Sequence, residues 1–135
     1  MQALLILCLA FDLAAIRMEP NLERRSERAL DNASAAMDAA RDASGAGEAE
    51  KAKAALGELR DSVELAYQSL VDSGKSARRN PKFFKRAELK TRELMRRLEG
   101  LAQAVDSDDR AFVESVRDRV SNVHDDLIKD IMQKK

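Results

Sequence analysis

Apolar residues recur at alternating steps of three and four through most of the chain, the spacing of helices that each bury one stripe. The clearest run spans 80–105, where Phe84, Ala87, Thr91, Leu94, Leu98, Leu101 and Val105 form the stripe. Phe83, Met95 and Ala102 widen it, which suits a globular bundle better than a two-stranded coiled coil. Asn80 and Pro81 read as an N-cap and a first helical position.

Three further stretches carry the same period. From 20 to 44 the stripe is Leu22, Ser26, Ala29, Ala33, Ala36, Ala40 and Ala43, flanked by Leu30 and Met37. From 48 to 73 it is Ala49, Ala52, Leu56, Leu59, Val63, Ala66 and Leu70, broadened by Tyr67 and Val71. From 107 to 133 it includes Val113, Val116, Val120, Val123 and Leu127. The breakers between them are Ser44-Gly45-Ala46-Gly47, Gly74 with the following 75–79, and Asp106-Ser107, with Ser107 as the expected N-cap. The expected fold is all-α: an up-down-up-down four-helix bundle over 20–135, with helices 20–44, 48–73, 80–105 and 107–133 after an apolar segment 1–16. The alanine stripes make the first two bundle helices the closest-packed pair, since small residues let backbones approach.

Composition supports this class. Aromatics are 4% of the 135 residues, with five Gly and two Pro, too little turn chemistry for many strands. Charged residues are 36% and the formal net charge is zero, so no global attraction to nucleic acid is expected. The charge is distributed unevenly, however. Residues 75–97 hold ten Lys/Arg against two Glu, whereas 106–130 hold eight Asp/Glu against four Lys/Arg. Cations in a helix's first turns oppose its macrodipole at a cost of about 0.3–1 kcal/mol each. Neighbouring carboxylates offset that cost, or an anionic partner does. The candidate anion- or partner-binding residues are Arg78, Arg79, Lys82, Lys85 and Arg86. In a simple antiparallel ring their internal partners would come from Glu19, Asp72, Asp125, Asp126 and Asp130.

The segment 1–16, MQALLILCLAFDLAAI, is too short to span a bilayer comfortably and resembles a secretory signal peptide, with Leu13-Ala14-Ala15 as its small-residue processing region. Asp12 and the lack of an early Lys or Arg run against that pattern, and a retained apolar helix is the other reading. Removal of the segment would also remove Cys8, the only cysteine.

Catalytic chemistry finds little footing. His124 is the only histidine, with no Glu-x-x-His spacing before it, no Cys-x-x-Cys-His haem attachment, no Gly-rich phosphate loop and no Ser/His/Asp set. No enzyme activity, metal or cofactor is expected. Phe83 and Phe84 interleave with the basic run as in proteins that stack bases, but both lie on or beside the core stripe. The whole pattern resembles small, exported, alanine-rich helical bundles of bacteria, a resemblance that assigns no residue a role. The expected function is a non-catalytic interaction or structural module of the bacterial envelope, periplasmic or secreted. Its partner would be a protein or an anionic envelope component. The alternative is a cytoplasmic bundle that binds nucleic acid or another polyanion through the same basic residues.

Overall fold

The computed structural model describes residues 13–133. Most of the apolar segment, Cys8 and the Lys134-Lys135 tail lie outside that range. The described chain is all-helical, with five helices packed together: α1 (Leu13–Arg17), α2 (Leu22–Gly45), α3 (Ala49–Asp72), α4 (Pro81–Ala104) and α5 (Ser107–Met132).

The buried residues are chiefly those of the three-and-four stripes. On α2 they include Ala29, Leu30, Ala33, Ala36, Met37 and Ala40, and on α4 they include Phe84, Ala87, Leu94 and Leu98. Val71, placed by its spacing at the stripe edge, is instead 47% exposed. The most extensive packing joins α2 to α3, where alanines allow close approach. Asn32 Nδ2 of α2 bridges Glu58 and Ser62 of α3 there, at 3.0 and 2.9 Å. The α2–α3 connection is tight because Gly47 takes φ +75, a region where a side chain would be strained. Glu48 N–H then donates back to the Ala43 carbonyl at 2.8 Å.

The second close pair is α4 with α5. The two pairs meet through α3 on α5 and α2 on α4, while the backbones of α2 and α5 stay apart on the diagonal among the described residues. Ion pairs fix the directions. Arg86 meets Glu27 and Arg97 meets Asp38, a constant offset in sequence, so α4 runs parallel to α2. Arg117 meets Glu99, while His124 meets Glu88, so α5 runs back along α4. The stretch 73–80 therefore carries the chain diagonally across one end of the helices, turning at Gly74 with φ +72.

Two expected caps differ in detail. Asn21 caps α2, its Oδ1 accepting from Arg24 N–H at 2.9 Å. Asn80 makes no cap bond; its side-chain amide donates to Glu23 Oε2 at 3.2 Å, because α2 and not solvent lies beside it. At α5 the cap position is Asp106, and Ser107 is already helical. Ahead of the bundle, α1 buries Ile16, which is 5% exposed, against α2 and α3.

The alanine contact yields a direct test. Ala36 is fully buried, so Ala36→Leu should overpack the bundle and lower stability by about 1–3 kcal/mol. Urea melts followed by circular dichroism measure this; an unchanged midpoint would mean that the α2 contact has slack.

Candidate functional site

The basic start of α4 lies where α2 begins and α5 ends. Arg78 and Arg79 sit in the connection before α4 and are exposed. Lys82 is exposed, with Nζ 5.5 Å from the centre of the Phe83 ring. Lys85 lines a shallow open groove with Ala77, Arg78, Pro81, Ile131 and Gln133. Arg86 pairs with Glu27 at 3.3 Å. Thus four of the five candidate residues share an exposed surface, and the fifth is turned toward α2.

The neutralising carboxylates are not those expected from a simple ring. Glu23 and Glu27, one turn apart on α2, meet Lys75 at 2.8 Å and Arg86 at 3.3 Å. Hydrogen bonding from Lys75 is the main effect that holds the Glu23 carboxyl below its usual range. Glu19 instead binds Arg24 and Arg28. Asp72 accepts from Gln68, and Asp130 from the Tyr67 hydroxyl at 2.8 Å. Burial and that bond push the Tyr67 phenol up. The physical reason is the parallel placement of α4 beside α2, which brings α2's first turns to the basic cluster.

Neutralisation is incomplete. Arg79, Lys82, Lys85 and Arg96 have no carboxylate partner among the described residues. Along the outward ridge of α4, Lys82, Leu89 and Arg96 follow one another at seven-residue steps, with Lys85 beside them. Leu89 is 58% exposed in mid-helix. Phe84 is buried, whereas Phe83 is half-buried, packing on the core while lining an open groove with Asn21, Glu23, Arg24 and Glu27.

A second constellation, not anticipated from the sequence, joins α4 to α5. Glu88 is buried at 7% exposure and accepts from Arg92 Nε and Nη2 at 2.9 and 2.7 Å. His124 Nε2 lies 2.8 Å from Glu88 Oε2. An ionised carboxylate only accepts, so this ring nitrogen carries the proton. Burial alone would raise the Glu88 carboxyl; the bonds from His124 and Arg92, with the Arg92 charge, hold it below the ordinary range. The signal available in the sequence was a glutamate next to Ala87 at the edge of the stripe, with an arginine four residues on. What it lacked was the level of His124 on the facing helix. The arrangement latches two helices. Among the described residues no group of three His, Cys, Asp or Glu is placed to hold a metal ion.

No protein-family model, curated protein or solved structure matches the chain. The surface itself therefore carries the functional reading.

The latch has a pH signature. A folded-state carboxyl held low contributes stability that is complete above the unfolded value of about 4.3 and is lost as pH falls through the lower folded value. Glu88→Gln should therefore cost about 1–3 kcal/mol at pH 7, reduced toward the low end because Arg92 is 59% exposed. Urea melts of both proteins from pH 7 to 2 should show the difference shrinking below about pH 4. A difference independent of pH would show that the charge on Glu88 contributes nothing.

Proposed function

We propose that the chain is a non-catalytic interaction module, an up-down-up-down four-helix bundle whose contact surface is the basic start and outward ridge of α4. The single observation that carries this reading is the set of cations there with no carboxylate partner among the described residues, Arg79, Lys82, Lys85 and Arg96, in a chain that pairs most of its arginines internally. Leaving cations at a helix N-terminus costs stability, and a carboxylate-bearing partner recovers it. The partner chemistry is an acidic protein surface or an anionic envelope component. The nucleic-acid alternative loses one of its two candidate stacking rings, because Phe84 is buried.

The place of action we propose is the bacterial envelope, reached by export. The sequence of 1–16 is the ground for this. Cleavage after Ala15 would leave Ile16, the residue of α1 that the bundle buries, at the new amino terminus. No helix among the described residues is long and apolar enough to cross a membrane.

Two measurements test the reading. Retention on heparin, used as a general polyanion, should fall steeply with salt. Arg79→Glu, Lys82→Glu and Lys85→Glu combined should remove most of it. Unchanged retention would exclude this surface. Intact mass from fractionated host cells should show a periplasmic or secreted product lacking about 15 residues; a full-length cytoplasmic product would overturn export.

A further inference from the structure

We propose that the outward face of α4 takes a second copy of this chain, in an antiparallel two-fold pairing that seats Leu89 of each protomer over Gly100 of the other. This deepens the proposed contact surface and rests on it, by naming the carboxylate-bearing partner.

Two residues on this face are unexplained within one chain. Among the described residues the other large exposed apolar side chains, Met18, Val71 and Met132, lie in a connection or at helix ends, whereas Leu89 stands in the middle of α4. Gly100 also lies inside α4 and is exposed, and a Cβ built there would meet nothing within 4 Å. A helix-interior glycine lowers stability relative to alanine, and no neighbour in the chain demands it. Leu89 and Gly100 are eleven residues apart, about 16.5 Å and close to three full turns, so they lie on one line along the ridge. One face thus carries a protruding apolar side chain and a notch. In an isologous antiparallel pair each copy supplies the complement of both.

Charge fits the same register. With Leu89 opposite Gly100, Lys82 of one protomer reaches the level of the α4–α5 connection of the other. Asp106 and Asp108 are exposed there and have no ion pair among the described residues. Arg96 meets the level of Glu93. The like charges brought together are Arg92 with Arg97, which already hold Glu88 and Asp38 within their own protomers, and the two copies of Arg96, which stand about one turn apart across the two-fold, each level with the other's Glu93. The basic start of α4 and the acidic connection after it are too far apart to pair within one chain, and the two-fold brings them together twice.

The contact is one helix pair, so it belongs to the small, weak class of interfaces, with an expected dissociation constant on the order of 10–100 µM. Sedimentation equilibrium of the full chain should show the mass rising from 15.0 kDa toward twice that value with concentration. Gly100→Leu and Leu89→Gly should each weaken association at least about tenfold. Circular dichroism should show both variants folded. The double variant Leu89→Gly/Gly100→Leu exchanges knob and notch and should restore association. A chain that stays monomeric to about 1 mM overturns the pairing. So does a single variant that still dimerises, or a double variant no better than the singles. A monomer that still binds heparin through Lys82 and Lys85 overturns self-association while leaving the contact-surface reading standing. Loss of both overturns the two together.

Discussion

The arrangement depends on Glu23. Its carboxylate, in the first turn of α2, accepts from Lys75 at 2.8 Å and from the Asn80 amide at 3.2 Å. One side chain thereby ties the start of α2, the connection 73–80 and the start of α4. Placing two helix N-termini side by side concentrates positive potential, and α4 adds cations to it. A carboxylate between them offsets both effects at once. Glu27, one turn further along α2, does the same for Arg86. These partly exposed pairs, with Arg97 and Asp38 further along, fix the register of α4 beside α2, while the buried stripes of the two helices supply most of the contact energy.

That placement governs the packing of the remaining helices. Once α4 lies on α2, α5 returns along α4's other flank and packs on α3. Glu88 then faces His124, while Arg119 meets Glu64 across the α3–α5 contact. The outward ridge of α4 is the part left uncovered, a line bounded by paired charges on each side: Arg86 and Arg97 toward α2, Arg92 and Glu99 toward α5. The ridge is therefore a consequence of the packing order.

The helices themselves were legible because periodicity is a local property. Ala29, Ala33, Ala36 and Ala40, or Leu94 and Leu98, had to share a face, and the bulk of each marks how closely a neighbour approaches. Which neighbour covers a stripe is a different question, and a heptad pattern does not encode it. The carboxylates beside the basic cluster were misread for that reason: Asp72 and Asp130 would face it in a simple ring, whereas Glu23 and Glu27 face it beside α2. The same ignorance hid the Glu88–His124 contact and misassigned the Asn80 side chain, which had a tertiary partner as well as a local one to choose. Arg78, Arg79, Lys82 and Lys85 were identifiable from charge density alone, but the lack of carboxylate partners for Arg79, Lys82 and Lys85 among the described residues is a property of the packing and not of the local sequence.

Local choices along α4 conflict with its own stability. Cations stand at the positive end of the helix dipole, a leucine faces water, and a glycine interrupts the helix where alanine would fit without contact. Each is a modest penalty. The helix α2, of equal length, also has cations in its first turns, but Arg24 and Arg28 meet Glu19 there. It has neither an exposed leucine nor a glycine in mid-helix. Residues that disagree with their surroundings tend to collect where selection acts on something other than folding. Here they collect on one ridge, in one register, with complementary shapes and signs at its two ends. The mid-helix glycine of α3, Gly57, stands alone, whereas on α4 the glycine, the leucine and the cations share one ridge, and the proposed contact surface rests on that alignment.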